Sequence, residues 1–374
     1  MKSLKPLIRI SLLLLTIILF IYGVIAAKQF LFPLAIGAMF AYLLFPIANF
    51  LEKHRFPRIL AILTSIAFAL VIIGVIVFLF YRQLTKMFAD FDTLKESANT
   101  NIELLQHNLE NLLGLQDNRL EQFLKTQVDQ FFQGNGGELG KAFSTTTGTI
   151  LRIVLLPIYV FLFLYYRTKF AYFILKIVRK EQKHVTIKIL RDISTVAARY
   201  MGGVSIVVLI LCVLNSTGLL IIGVDYAILL GITSAFFNFI PYFGTLMGGA
   251  IPLLFVLLTT SDPLHYGLYV IILYAIVQVI ENNILTPNIV GGNVKINPFF
   301  IILGLMMGGM VWGIPGMLVV VPFLAILRII FYHIESMQPY AFLLGPRGTQ
   351  KHSITLSKIK KAFNIRDRIK KPEE

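Results

Sequence analysis

Long apolar runs recur along the whole chain, and they limit its possible folds more than any other feature. Several runs reach the roughly 20 consecutive apolar residues that an α-helix needs to cross about 30 Å of hydrocarbon. Of the 374 residues, 57% are hydrophobic and only 14% are charged. A soluble domain has about 25% charged residues to solvate its surface. The sequence therefore predicts an all-α polytopic membrane protein with about eight hydrophobic segments.

The basic residues lie mainly between the apolar runs and predict how the chain crosses the membrane. The turn 52–58, the segment 167–199 and the tail 335–374 are each net positive, whereas 82–148 is net negative. Cytoplasmic loops of membrane proteins carry the excess of Lys and Arg. We therefore expect a protein of the inner cell membrane with both termini in the cytoplasm. The net charge of +15 is accompanied by no recognition motif, so nucleic acid is not an expected partner.

The order of these features divides the chain into five regions. Residues 10–27 are interpreted as a retained first span and not as a cleaved signal peptide, because a second apolar run follows almost at once. The predicted regions are an N-terminal three-span unit (1–81), an extracytoplasmic helical region (82–148), a fourth span with a basic amphipathic cytoplasmic segment (149–200), a C-terminal transport core with broken helices (201–334) and a basic cytoplasmic tail (335–374).

Two amphipathic stretches lie outside the predicted spans. In 82–148, apolar residues recur every three or four positions from Phe88 to Leu112, which is typical of a helix with one apolar face. This helix either packs on its own segment, the interpretation we favour, or forms an oligomerisation stalk. In 167–199, similar spacing with intervening Lys and Arg predicts a basic helix at the cytoplasmic surface, or a solvated linker between helix bundles.

Two apolar runs, 226–258 and 298–331, are too long for one ordinary span and are interrupted near the middle. The candidate interrupting residues are Asn238, Pro241 and Gly244 in the first run and Gly309, Gly313 and Gly316 in the second. Proline removes a helix donor and glycine lets the backbone bend. The runs are either re-entrant hairpins, which we favour, or kinked spans. Paired interruptions of this kind are typical of a transporter's binding region.

A polar cluster follows the span between these two runs. Its members are Gln278, Glu281, Asn282, Asn283, Pro287 and Gly291. Gln278, Glu281 and Asn282 share a helix face. A carboxylate inside a membrane usually faces a cavity or a partner, so Glu281 is the candidate for ion or proton coupling, with Lys295 as its expected charge partner. The alternative is that Glu281 caps the span at headgroup level.

Other chemistry is not indicated by the sequence. It has no glycine-rich phosphate loop followed by Lys and Ser or Thr, and therefore no ATP motor. Its six histidines have no metal-ligand spacing, and no nucleophile motif is evident. The single cysteine, Cys212, excludes an internal disulfide. We expect no enzyme activity, no cofactor and no metal.

Three motifs in the carboxy-terminal half carry a family resemblance. They are Asn238-Phe239-Ile240-Pro241-Tyr242-Phe243-Gly244, the stretch from Glu281-Asn282-Asn283 through Pro287 to Gly291, and Gly313-Ile314-Pro315-Gly316-Met317. In order and spacing they resemble the signatures of the autoinducer-2 exporter-like (AI-2E) family. The resemblance implies a homo-oligomer that exports small solutes, with autoinducer-2 as the named case. Some similar proteins look like sodium/proton antiporters.

These observations support three functional hypotheses. The leading one is a secondary exporter of a small solute, driven by an ion gradient. The second is a sodium/proton antiporter, and the third is a non-transporting membrane scaffold that uses 82–148 as its contact surface. The expected partners are the lipid bilayer, a small solute or ion, and further copies of the chain. The residues predicted to line the pathway are Asn238, Pro241, Gly244, Gln278, Glu281, Asn282, Asn283, Pro287, Gly291, Gly309, Gly313 and Gly316.

Overall fold

A computed structural model of the chain describes residues 4–113, 122, 125–126, 146–291 and 295–346. These residues form helices joined by short turns and contain no strand. Six of the helices are long and apolar enough to cross a membrane. The prediction of an all-α polytopic membrane protein is confirmed.

Twelve α-helices are described, and one of them continues into a π-helix. They are α1 (Leu4–Ala26), α2 (Lys28–Lys53), α3 (Arg58–Ala89), α4 (Phe91–Leu113), α5 (Thr146–Ile177), α6 (Lys183–Ile222), α7 (Ala227–Phe237), α8 (Phe243–Thr259), α9 (Pro263–Ile280) with its π-helical extension (Glu281–Val290), α10 (Pro298–Trp312), α11 (Ile314–His333) and α12 (Gln338–Leu344).

The basic segment 167–199 is divided between two long helices. Its first part completes α5, and its second part begins α6, with a short 3-10 turn between them at Lys180–Gln182. The 40 residues of α6 extend about 60 Å, roughly twice the thickness of the hydrocarbon core. The segment therefore belongs to two long helices. Its position at the cytoplasmic surface stays a prediction.

The N-terminal unit and the rest of the molecule meet along α2, α5 and α6. Ala48, Ile62 and Leu164 form the buried core between α2, α3 and α5. At the basic end of these helices, the Arg167 side chain binds Glu52, and Arg58 donates to the Leu164 carbonyl at 2.9 Å. The two guanidinium groups thus tie the ends of the three helices together.

The first interrupted run forms a helical hairpin of α7 and α8. The 11 residues of α7 extend only about 16 Å, too short to cross the bilayer. The chain reverses through Asn238–Tyr242, where Tyr242 has a positive φ of 66°. A Cβ at Gly244 would lie 2.0 Å from the Phe237 carbonyl oxygen. Only glycine lets the two helices approach this closely.

The second interrupted run forms a hairpin of α10 and α11, which turns at Gly313 with a φ of 70°. A Cβ at Gly316 would lie 2.0 Å from the Gly308 carbonyl oxygen. Both interrupted runs are therefore broken, as predicted, and each is a hairpin and not a kinked span.

The two hairpins enter the bundle from opposite ends of α6. The α7–α8 hairpin begins directly after α6 ends at Ile222. The α10–α11 hairpin ends where His333 Nε2 lies 3.3 Å from Asp192 Oδ2, near the beginning of α6. The two hairpins are therefore attached at opposite ends of α6.

The apolar stripe of α4 packs on the open end of the first hairpin, where α7 begins and α8 ends. This end is called the foot of the hairpin. Ala98 and Ile102 are buried against Leu258 at the end of α8. Asn101 Nδ2 donates to the carbonyls of Leu258 at 3.0 Å and Thr260 at 2.8 Å. The stripe therefore contacts the core, and Lys125 binds Glu103 of α4. The expectation that this helix also packs on its own segment stays a prediction. The remainder of 114–145 lies outside the described residues, as does the tail from 347.

Close packing of α6 on the π-helical segment provides a test of the fold. A Cβ at Gly203 would lie 2.9 Å from Val290 Cα and 3.0 Å from the Ile289 carbonyl oxygen, whereas nothing lies within 4 Å of a Cβ at Gly202. Gly203→Ala should therefore lower the free energy of unfolding by about 1–3 kcal/mol through overpacking. Gly202→Ala, in the same helix, should lose no stability. Thermal unfolding in detergent measures both, and equal unfolding temperatures would contradict this packing.

Candidate functional site

Glu281 is buried between α9 and the tip of the α7–α8 hairpin, with only 9% of its surface exposed. Its Oε1 accepts a hydrogen bond from Asn238 Nδ2 at 2.6 Å, and its Oε2 accepts one from Gln278 Nε2 at 3.4 Å. Both carboxylate oxygens of Glu281 therefore face protein partners. The alternative that Glu281 caps the span at headgroup level stays a prediction.

The expected charge partner of Glu281 is not in contact with it. Lys295 is exposed, and within the described part of the chain Glu281 has amide partners and forms no ion pair. Burying a carboxylate costs free energy unless hydrogen bonds or an opposite charge compensate it. The two amide donors are the partners that offset this cost for Glu281.

Local sequence explains how Asn238 reaches Glu281. Helix α7 ends at Phe237, and Asn238 is the first residue of the turn that leads through Pro241. Gly244 lets α8 return directly beside the end of α7. The π-helical extension begins at Glu281 itself, and π-helical turns are frequent at functional sites.

A small cavity of about 20 Å³ lies between α6, α7, α8 and α9. Its polar lining consists of Asn215, Ser234, Asn238, Thr245, Tyr274, Gln278 and Glu281. A cavity needs roughly 10–15 Å³ of this kind of volume to hold one water. In the described conformation it can therefore hold a water molecule or a single ion, but no larger solute.

Four of these polar residues were not predicted from the sequence: Asn215, Ser234, Thr245 and Tyr274. Asn215 Nδ2 donates to Ser234 Oγ at 3.1 Å, and the Tyr274 hydroxyl lies against Ser234. The Asn215 side chain is 3% exposed, and its Oδ1 has no hydrogen-bond partner among the described residues. Asn215 could have been found from the sequence, because it is a polar residue within an apolar span. Its position in the sequence does not indicate which residues it contacts.

The structure brings together only part of the predicted pathway. Asn238, Gly244, Gln278 and Glu281 line the cavity, with Pro241 in the adjacent turn.

Asn282 and Asn283 are exposed and lie outside the cavity lining. Asn282 accepts a hydrogen bond from Gln278 at 3.1 Å, and Asn283 donates to the Val279 carbonyl at 2.9 Å. Pro287 lies within the π-helical extension and Gly291 directly follows it. Neither lines the cavity.

The glycines of the second hairpin serve packing. A Cβ at Gly309 would lie 2.5 Å from Met317 Cε, and Gly316 lies against Gly308. Gly313 forms the turn. Gly309 and Gly316 thus let α10 and α11 pack closely, and Gly313 lets the chain turn between them. None of the three lines the cavity. Within the described residues, no group of three or more His, Cys, Asp or Glu side chains could hold a metal.

Comparison with known proteins assigns the chain to a family. Residues 14–336 match the family described as "AI-2E family transporter". A Bacillus subtilis protein named "Putative transport protein YueF" is 29% identical over 318 residues, which cover 82% of this chain and 84% of the relative. A second B. subtilis protein, "Putative transport protein YrrI", is 28% identical over 83% of this chain and 88% of the relative.

A more distant relative matches over a longer stretch of the chain. "Putative transport protein YhhT" of Escherichia coli strain K12 is 22% identical over 350 residues, which cover 90% of this chain and 94% of the relative. The similarity thus extends over both the N-terminal unit and the hairpin core. The chain belongs to the AI-2E family of membrane transporters.

Proposed function

We propose that this protein is a secondary transporter that exports a small solute of the autoinducer-2 type. An ion gradient drives the export. In this proposal Glu281 is the coupling carboxylate. The observation that carries it is the buried contact between Glu281 and Asn238 at the hairpin tip. The protein lies in the inner cell membrane with both termini in the cytoplasm, as the basic end shared by α2, α3 and α5 supports.

The Glu281–Asn238 hydrogen bond links the charge state of Glu281 to the position of the hairpin. A hydrogen bond to an ionised carboxylate is roughly twice as strong as one between neutral groups. A proton or cation on Glu281 therefore weakens the attachment of the α7–α8 tip to α9. The tip then moves away from α9 and enlarges the cavity enough for a solute. The foot of the same hairpin stays attached to α4 through Asn101.

A sodium/proton antiporter is the second candidate, and the cavity size favours it. A space of about 20 Å³ suits one ion without any opening movement. Its oxygens come from a carboxylate, amides and hydroxyls, which are hard ligands suited to hard cations. The unpartnered Asn215 Oδ1 is available as one such ligand.

Removing the charge of Glu281 tests the coupling. In proteoliposomes, Glu281→Gln should abolish the gradient-dependent part of solute efflux, because the amide cannot cycle between a charged and a protonated form. The exposed Glu335 provides the control, and Glu335→Gln should transport like the wild type. Full gradient-dependent efflux in Glu281→Gln would exclude the coupling role.

Two asparagines of the same motifs should behave differently. Asn238→Ala removes a hydrogen bond to a buried carboxylate, of a kind worth about 1.5–3 kcal/mol, and should impair both transport and thermal stability. Asn283→Ala affects an exposed side chain and should change stability by no more than about 0.5 kcal/mol. Transport rates and unfolding temperatures of both variants are to be compared. Equal losses of transport and stability in the two variants would contradict a specific role of the hairpin tip.

A sodium-driven pH change in vesicles distinguishes the two candidate functions. If the antiporter candidate is correct, Asn215→Ala should raise the half-saturating sodium concentration about tenfold, since one lost ligand contact of about 1.4 kcal/mol has that effect. Thr217→Ala changes an exposed residue of the same helix and should have no effect. A wild-type protein that moves no protons in response to sodium would exclude the antiporter.

A further inference from the structure

A second and larger cavity lies between α3 and the beginning of α7. Its volume is about 450 Å³, within the range of about 300–1,000 Å³ that is usual for ligand pockets. The wall from α3 consists of Leu79, Arg82, Gln83 and Lys86, and Ile228 lines the side of α7. The four α3 residues are spaced at three, four and seven positions and therefore share one helix face.

The two cations of this cavity are positioned by aromatic rings. Arg82 Cζ lies 5.9 Å from the centre of the Phe78 ring, and Lys86 Nζ lies 5.6 Å from that of Tyr226. Such contacts orient a cation without neutralising it. Among the described residues, neither cation forms an ion pair with a carboxylate.

The two acidic residues near the cavity, Asp90 and Asp225, are not part of its lining. Asp90 lies one helical turn beyond Lys86 and accepts a hydrogen bond from the Tyr226 hydroxyl at 2.5 Å. Asp225 precedes Tyr226 in the chain and is absent from the cavity lining. The lining itself therefore carries two positive charges, no negative charge and the amide of Gln83, which can also donate to an anion.

The position along α3 places these cations at the membrane surface. Residues 59–81 contain no charged side chain, and their 23 residues extend about 34 Å, slightly more than the hydrocarbon thickness of about 30 Å. Arg82 is the first charged residue after this stretch. Phe78 and Tyr81 beside the cavity are 58% and 57% exposed, as expected of side chains that face lipid.

We propose that this cavity binds an anionic phospholipid, with its phosphate between Arg82 and Lys86 and an acyl chain along Leu79 and Ile228. The pairing of two cations with two aliphatic side chains matches a ligand that is charged at one end and apolar at the other. A soluble phosphate would use only the cations and leave the apolar wall exposed.

The bound lipid contacts a functional element of the molecule. Ile228 lies in the first turn of α7, at the foot of the hairpin whose tip binds Glu281. The lipid thereby joins α3 of the N-terminal unit to the hairpin, next to the hydrogen bond between Tyr226 and Asp90. This role is independent of which solute or ion the protein transports.

Native mass spectrometry of the full chain in neutral detergent tests the proposal. The probes are phosphatidylglycerol, phosphatidylcholine and inorganic phosphate, titrated separately. The wild type should retain one phosphatidylglycerol in preference to phosphatidylcholine. The double variant Arg82→Gln/Lys86→Gln should bind it roughly 30-fold more weakly, about fivefold for each cation. Ile228→Phe places a bulkier ring in the path of the acyl chain, keeps both cations and should also reduce binding.

The matched control removes one Lys and one Arg elsewhere. Lys176 and Arg179 are exposed on the basic end of the molecule, and Lys176→Gln/Arg179→Gln changes the net charge equally without touching the cavity. An equal loss of binding in this control would show general electrostatic attraction and overturn the site. Full binding in either cavity variant would overturn it too. Inorganic phosphate that competes with the lipid at equal concentration would show that the occupant is a soluble anion.

Discussion

The need to satisfy backbone hydrogen bonds inside hydrocarbon is the constraint on which the rest of this structure depends. An interrupted helix is tolerated at such depth only where protein or water shelters it. Both interruptions here are closed locally, by Ile240 N–H to the Phe237 carbonyl at 3.0 Å and by Gly313 N–H to the Gly309 carbonyl at 2.8 Å. These local hydrogen bonds let each broken run reverse as a hairpin, while Tyr242 and Ile314 at the two turns are 52% and 57% exposed.

Close approach of the hairpin helices follows from the small residues at their contacts. Gly244 and Gly316 each face a backbone carbonyl of the partner helix, where any Cβ would collide. At Gly231, α7 lies so close to α6 that a Cβ would be 2.4 Å from Ser216 Oγ. This proximity buries Asn215 and Ser234 beside each other and places polar groups between apolar spans.

The hairpin of α7 and α8 connects distant parts of the chain. Its tip binds Glu281 through Asn238, its foot is held by Asn101 of α4, and its first turn lies beside Tyr226 and the end of α3. One hairpin therefore contacts Glu281, α4 and the end of α3 at the same time. The second hairpin has a different role, because its glycines pack α10 against α11 and lie away from the cavity.

The sequence by itself determined the membrane class, the two broken runs and the choice of Glu281 as the candidate coupling residue. These depend on local properties: apolar length, the backbone effects of proline and glycine, and the cost of an isolated acid among apolar residues. Only the tertiary structure decided that Asn238, and not Lys295, is the partner of Glu281, and that Asn215 and Ser234 complete the cavity. Asn238 and Glu281 are 43 positions apart, and no helical periodicity reports a contact between separate helices. That contact is created by a tight turn and by glycine packing that bring the end of one short helix to the side of another.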